Sequence, residues 1–404
     1  MNGQIGSARR ACIVSAAGAL LFALLTVACS EDRVTGPTQT PVSSFSLDHG
    51  TDVVTVMNHN IYVGANVDRV IDAEDPSDIP ILVALTFQEL VSTNFPARAQ
   101  AIADEIARRQ PHLVGLQEVS LIRYQSPSDF FVGNPVPATD VLLNYLSILE
   151  AALAARGLDY QVAGAIQNAD VELPMFVGFG GSGEPLFDDV RLTDFDVVLV
   201  RGDVDYSNVA EVNYQAQYAP FPEFGIIIPR GYVAIDATIK PNHTYRFVNT
   251  HLESDDQDVK ESQAAELIAA LESERKPVIL VGDLNTPAPD GAVYQMFLGA
   301  DYIDAWTRNH EKDEGDGLTN GHDSDLRNTE VNFTKRIDFI LVRNRNRGTS
   351  PMGPAFATVW GDELGDRVPS GLPDGDLIWP SDHAAVIAEM RIPILGAPAY
   401  AAQD

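Results

Sequence analysis

Five apolar, strand-like runs of this chain carry polar side chains at an end: Asn60, Glu118, His251, the pair Asp283 and Asn285, and the pair Asp382 and His383. A sixth run carries Asp338 within it. Carboxylate and amide oxygens are the donors a hard divalent cation prefers. Imidazoles supply hydrogen-bond donors or move protons near neutral pH. Together these residue types suit cleavage of a phosphate ester, which needs an in-line nucleophile and neutralisation of charge on the equatorial oxygens. The sharpest single signal is Lys276-Pro-Val-Ile-Leu-Val-Gly-Asp283-Leu-Asn285-Thr-Pro287. Its Val278–Val281 run is a buried strand that delivers Asp283 and Asn285 to its tip. The two-residue period of a strand turns both side chains the same way, and Pro287 and Pro289 end it. Such a tip is expected to hold polar chemistry at a sheet edge.

The elements that must position these residues follow from periodicity. The β-branched run from Asp52 to Asn60 predicts a strand, followed by a loop rich in Asp and Pro through Pro80. Ile102 and Ile106, with Arg108 and Arg109 near the end, predict an amphipathic helix over Ala97–Gln110 stopped by Pro111. His112–Val119 reads as a strand in which Glu118 must be paired or metal-bound, because a carboxylate in an apolar run is otherwise costly. Residues 121–138 read as a loop, Asp140–Arg156 as a helix stopped by Gly157, Tyr160–Ile166 as a strand, and 167–192 as a long glycine-rich surface loop. Phe195–Val200 reads as a strand, and Ile226–Ile228 as one arm of a hairpin that turns at Pro229-Arg230-Gly231 into Val233–Ile239. Strands are also expected over Tyr245–Leu252, Lys335–Val342 and Ala384–Met390, and a helix over Asp256–Glu274. Many strands, several apolar on both faces, with helices between some of them, imply an α/β fold with two sheets packed face to face and helices outside.

Composition restricts the partners. Lys+Arg 27 against Asp+Glu 57 gives a formal net charge of −30, which argues against a protein that grips a polyanion over a wide basic surface. A bound divalent cation can still invert that logic locally. The N-terminus has a secretory layout: Arg9 and Arg10, the apolar run Ala11–Ala28, then Cys29. Leu25-Thr-Val-Ala-Cys29 resembles the lipobox of bacterial lipoproteins, in which the Cys becomes the lipid-modified N-terminus, although Thr26 stands where Leu is usual. An ordinary cleaved signal and an uncleaved anchor are the alternatives. Residues 1–28 are thus expected to be a signal peptide, 29–51 a lipidated Cys and flexible linker, 52–392 the folded domain and 393–404 a tail. The only cysteines are Cys12 and Cys29, so the mature domain has no disulfide and no thiolate for metal binding or nucleophilic catalysis.

In chain order, Asn58-His-Asn60-Ile61, Gly115-Leu-Gln117-Glu118-Val119, Asn249-Thr-His251-Leu252, Gly282-Asp283-Leu-Asn285, Arg336-Ile-Asp338-Phe339 and Ser381-Asp382-His383 resemble the motif series of the endonuclease/exonuclease/phosphatase superfamily. The resemblance runs from about Val53 to Met390. It implies a four-layered α/β sandwich and a divalent metal, normally Mg²⁺, with Mn²⁺ or Ca²⁺ as alternatives. By that resemblance Glu118 is the main metal ligand, with Asn60 and Asp382 completing the metal's surroundings. Asp283 orients or deprotonates the attacking water, and Asn285 holds that water or a phosphate oxygen. His383 contacts phosphate or acts as base with Asp338 as its partner, and His251 touches the phosphate or assists the leaving oxygen.

Other polar residues have blander readings. Asp304 is expected to be structural, Asp194 and Asp196 precede a strand without a decision between them, and His59, His112, His243, His310 and His322 are expected at the surface or satisfied. The function implied is hydrolysis of a phosphodiester or phosphomonoester outside the cytoplasm by a monomer anchored to a membrane through an N-terminal lipid. A nuclease or sphingomyelinase-like phosphodiesterase is a narrower form of it, and a non-catalytic binding lipoprotein on the same scaffold is the competitor. Acidic charge disfavours nucleic acid as a partner without deciding the phosphate ester. The loops at 121–138, 167–192, 307–335 and 360–378 are expected to form the rim that selects substrate. The Phe221–Ile228 region is the candidate for entering a membrane, although a buried strand explains it better.

Overall fold

Alternation along the strands decides the architecture. In the first strand, Val54 and Val56 join one apolar cluster while Met57 joins another, as a strand buried on both faces must. The computed structural model describes residues 53–132, 136–221, 226–309, 315–345, 352–353, 355–373 and 375–394. The expected signal segment, Cys29, the linker to 51 and the tail from 395 lie outside the described residues, as does His310.

The chain runs β1 (Val53–Asn60), α1 (Asp68–Ile71), α2 (Ile79–Ser92), α3 (Phe95–Arg109), β2 (Leu113–Gln117), β3 (Leu121–Gln125), β4 (Asp140–Asn144), α4 (Tyr145–Ala155), β5 (Tyr160–Phe179) and β6 (Pro185–Arg201). It continues through β7 (Asp205–Asn213), β8 (Tyr218–Phe221), β9 (Ile226–Ile228), β10 (Gly231–Lys240), β11 (His243–His251), α5 (Gln257–Leu271), β12 (Val278–Asp283) and α6 (Ala292–Gly299). The last elements are β13 (Ile303–Asp304), β14 (Asp338–Arg343), β15 (Ala355–Trp360), β16 (Val368–Pro369), β17 (Leu377–Ile378) and β18 (Ala385–Arg391). One sheet has the order β15-β18-β1-β2-β6-β3-β4, with β5 also paired to β6; the other has the order β13-β14-β12-β11-β10-β7. Each is antiparallel except for one parallel pair, β1 with β2 and β11 with β12.

The two sheets face each other across a core that includes Val56, Leu113 and Val198 from one and Ile235, Phe247, Ile279 and Ile340 from the other. On the outer face of the first sheet, Ile102 and Ile106 of α3 and Leu149 and Leu153 of α4 cover Met57, Val114 and Leu199. On the outer face of the second, Leu267 and Leu271 of α5 and Phe297 of α6 cover Val248, Leu280 and Leu341. The result is the four-layered α/β sandwich expected, helix–sheet–sheet–helix.

Several expectations from periodicity are corrected. The strand that ends at Asp283 is not at a sheet edge: β12 lies inside its sheet between β11 and β14. Residues 167–192 are not a loop; they extend β5 and β6 into one long hairpin. Its glycines occupy bulges and the turn, with Gly178 and Gly183 at positive φ. Leu121–Gln125 is a strand rather than a loop because it pairs with β6 on one side and β4 on the other. The helix expected from Asp140 begins at Tyr145, after Asn144 accepts from Ser147 N–H at 3.0 Å as its cap. Ile226–Ile228 pairs with β8, not with β10. The aromatic surface lies at the far end of the β5–β6 hairpin, where Phe131 and Phe179 are exposed and Phe131 and Phe176 pack on Phe187; the side chains of Phe221, Phe224 and Ile226 lie outside the described residues.

The sheets approach closely at Gly115. A Cβ there would strike Val281 Cγ2 and stand 2.7 Å from Asn249 Oδ1, both on the opposite sheet. We expect Gly115→Ala to destabilise the protein by about 1–3 kcal/mol through overpacking, read as a lower urea midpoint with an unchanged slope; an unchanged midpoint would show that the sheets can separate there freely.

Candidate active site

Inward-facing positions turn polar at one end of the core. On β1 the series Val54, Val56 continues to Asn58 and Asn60; on β11 Phe247 continues to Asn249 and His251; on β12 Ile279, Val281 continues to Asp283. On β14 the series begins at Asp338 and then becomes apolar at Ile340 and Val342. Gln117 ties the sheets at this boundary. Its Nε2 donates to Asn58 Oδ1 at 2.9 Å and to Asn249 Oδ1 at 2.6 Å. Asn249 Nδ2 in turn donates to the carbonyls of Leu116 and Val197 on the opposite sheet.

Beyond this tie the sequence-derived residues converge. Glu118 sits just past β2 at φ +58°, a left-handed conformation that costs a non-glycine residue energy. The turn directs its carboxylate back to β1, where Oε1 accepts from Asn60 Nδ2 at 2.8 Å and Oε2 from Val63 N–H at 2.6 Å. Asn60 Nδ2 also donates to Asp283 Oδ2 at 3.2 Å. Asn285 does not continue the strand as its period suggested. It turns at φ +48°, donates its backbone N–H to Asp283 Oδ1 at 2.9 Å, and places its side-chain amide 3.1 Å from His251 Nε2. The loop bearing Asp382 and His383 is held against β1 by Ser381 Oγ, which donates to the Asn60 carbonyl at 2.7 Å. The fully buried Arg98 of α3 braces the same contact by donating to the carbonyls of Ile61, Tyr62 and Pro380.

The two histidines differ in charge state. His383 Nδ1 donates to Asp338 Oδ2 at 2.8 Å, and Asp283 Oδ2 lies 3.7 Å from the same nitrogen. Burial opposes charge on this ring, but Asp338, Asp382 and Asp283 outweigh it and raise its pKa well above the ordinary value. His383 is therefore an imidazolium at neutral pH. The Asn320 amide, 2.9 Å from its Nε2, must then present its oxygen. His251 is the reverse: burial, then Arg230, then His383 lower its pKa far below the ordinary value. Arg230 Nη1 lies 3.1 Å from His251 Nδ1. A guanidinium can only donate, so Nδ1 accepts and the proton of the neutral ring sits on Nε2, 3.6 Å from Asp283 Oδ2. The Asn285 amide must then present its oxygen to Nε2–H and give up the bond its Nδ2 makes to the Leu252 carbonyl. Asp283 thus lies between the two rings. Burial raises its pKa to about 6, with Asp338 adding to the effect and His383 opposing it.

The structure brings Asn60, Glu118, His251, Asp283, Asn285, Asp338, Asp382 and His383 together at this end of the core. Asp194 joins them, 3.8 Å from Arg230, with Asp196 buried two residues on. Asp304 is structural as expected, bonded to Arg336 at 2.6 Å and to Tyr294. Arg230 and Asn320 were missed. The only signal for Arg230 is the Pro-Arg-Gly interruption before β10, and Asn320 lies in a polar loop with no pattern. His112 and His322 are satisfied as expected, His112 Nδ1 accepting from Thr55 N–H and His322 stacking on Trp379 at 4.0 Å, whereas His59 is buried with neither ring nitrogen hydrogen-bonded.

A model of the endonuclease/exonuclease/phosphatase family matches residues 57–383. The chain belongs to that family. It is a phosphoester hydrolase by membership. The fold is shared with a family member from Bacteroides thetaiotaomicron, at 17% identity and TM-score 0.52, covering 85% of this chain and 98% of that one. It is shared also with a mannosyl-6-phosphatase from Bacteroides thetaiotaomicron, at 17% identity and TM-score 0.50, covering 83% and 99%. No curated protein sequence matches.

Members of this family depend on a divalent metal, and the residues present fit one. Glu118, Asp382 and Asp194 crowd negative charge that His383 and Arg230 only partly balance. Burial, opposed by His383 and reinforced by Glu118, raises the Asp382 pKa to about 7. Burial, opposed by Arg230 and reinforced by Glu118, does the same for Asp194. A cation there would return these carboxylates to their ionised form.

The Arg230–His251 contact is directly testable. We expect Arg230→Met to release the tautomer and raise the His251 pKa toward, but not up to, its ordinary value, because burial remains, lowering kcat about 10- to 100-fold. ¹⁵N shifts should show the Nε2–H form in the parent and a mixture in the variant. A titrating His251 in the parent would refute the assignment.

Proposed function

We propose that this family member is an exported, Mg²⁺-dependent phosphoesterase that cleaves a phosphodiester or phosphomonoester by in-line attack of water. The observation that carries the reading is Asp283 set between a cationic and a neutral histidine at the polar end of the sheet interface. Glu118, Asn60 and Asp382 would hold the ion, whose oxygen donors suit Mg²⁺. When bound, it supplies charge neutralisation at the phosphoryl oxygens and a more acidic water.

The chain's own groups do the rest. Asp283, fixed at Oδ1 by Asn285 N–H and at Oδ2 by Asn60, orients water and accepts its proton. The imidazolium of His383, anchored by Asp338, offers positive charge to a phosphate oxygen. His251, held neutral by Arg230, offers Nε2–H to the phosphate or to the departing oxygen without adding a second full charge. Asn285 keeps its amide beside that nitrogen.

The deciding experiment is hydrolysis of bis(4-nitrophenyl) phosphate and 4-nitrophenyl phosphate with Mg²⁺. We expect EDTA to abolish turnover, and Asp283→Asn and His383→Ala to lower kcat about 10²- to 10⁴-fold. Turnover that resists EDTA, or variants as active as the parent, would remove the metal-assisted reading and favour a binding protein.

The place of action rests on the N-terminal layout. We propose that residues 1–28 direct export and that Cys29 carries lipid, holding the enzyme on the outer side of a bacterial membrane. Cys29→Ser should move the protein from the membrane pellet to the soluble fraction and eliminate incorporation of labelled palmitate; a membrane-bound variant would show that the apolar run itself is the anchor.

A further inference from the structure

The polar cleft does not end at its catalytic side chains. Past Glu118, Asp194 and Arg230 it continues into a groove of about 210 Å³. Two pieces of chain build most of its apolar wall. One is the segment between β1 and α3, which places Val67, Val83 and Phe87 in the wall; the other is the β5–β6 hairpin, which contributes Leu173, Val190 and Leu192. Phe87, Leu173, Val190 and Leu192 are only half-buried, so apolar surface remains accessible beside a charged site. Such surface is unfavourable in water and marks a place where something apolar is received.

We propose that this groove seats an aliphatic chain carried by the phosphate ester, so that the substrates of this site are amphiphilic alkyl or acyl phosphate esters. The proposal rests on the phosphoesterase reading and adds the chemistry of the esterified group. Continuity argues for substrate: Glu118, Asp194 and Arg230 line the groove and also belong to the site, so a phosphate held there has its ester arm at the groove's entrance. Composition argues for a chain rather than a ring. Charged and polar side chains, among them Asp68, Glu118, Asp194, Arg230, Glu253 and Asp255, supply the polar part of the lining, and its apolar part is aliphatic apart from Phe87, whereas a nucleobase is recognised by stacking on aromatic faces and by hydrogen bonds to its edges. Charge agrees, since a chain carrying −30 repels a polynucleotide but does not oppose one phosphate neutralised by a cation and His383.

Calorimetric titration of the Mg²⁺-loaded protein with methyl-, butyl- and octylphosphonate, kept below micelle-forming concentrations, reads the groove without requiring turnover. Each buried methylene is expected to tighten binding about threefold to fourfold, so octylphosphonate should bind at least ~100-fold tighter than methylphosphonate. Leu173→Gln, and the near-isosteric Val171→Thr as a second groove variant, should reduce that ratio at least ~10-fold and leave methylphosphonate unchanged. Equal affinities for methyl and octyl, or a chain-length dependence that survives both variants, would overturn the proposal. Phenylphosphonate binding tighter than octylphosphonate would overturn it in favour of a planar ring. Chain-dependent binding without hydrolysis of any ester would leave the groove intact and overturn the phosphoesterase reading instead.

Discussion

The Gln117 amide touches both sheets, and the site depends on that contact. Two sheets buried on both faces could slide or open at their ends, where the apolar core runs out. Gln117 stops this by donating to Asn58 on its own sheet and Asn249 on the other, at the point where Gly115 lets the sheets approach. A buried amide hydrogen bond contributes about 1 kcal/mol net, but leaving its partner unpaired costs about 1–3 kcal/mol. The tie therefore penalises a changed register more than it rewards the native one. One step beyond it lie Asn60, Glu118, His251 and Asp283, which must hold position to a fraction of an ångström.

The electrostatics follow from where that tie places the charges. Carboxylates at inward positions are taken out of water with too few cations to balance them. The chain resolves part of the imbalance by pairing His383 with Asp338 and by setting Arg230 among Asp194, Glu253 and His251. Two histidines of the same intrinsic acidity thereby become different groups, one a fixed cation and the other a neutral donor. The remaining negative charge, around Glu118 and Asp382, is where a divalent cation would fit.

The candidate catalytic residues sit at the ends of the sandwich strands, while the groove beside them is walled largely by the segment between β1 and α3 and by the β5–β6 hairpin. The segment from Asn60 to α3 and the extension of β5 and β6 pack on one another through Val83, Met175 and Leu173. They form an apolar wall beside the site without altering the strands that hold it. Substrate range can change in such segments while the reacting geometry stays fixed.

Much of the site was legible because strand ends announce themselves. A β-branched run that stops at Asn60, Glu118, His251 or Asp283 has few other reasons to place an amide, a carboxylate or an imidazole there, and six such signals in order reinforce one another. The β5–β6 hairpin was illegible because glycines at bulges read locally as a loop, and only pairing along its length shows otherwise. By itself the sequence determined the two-sheet fold and the polar strand ends whose residue types suit phosphoester chemistry, since these rest on period-two alternation and on residue type. Only the tertiary structure decided that β12 lies inside its sheet, that Arg230 makes His251 a neutral donor and that an apolar groove adjoins the site. Each of these depends on which distant segments come within a few ångströms, and hydrogen bonds, burial and charge coupling act at that range.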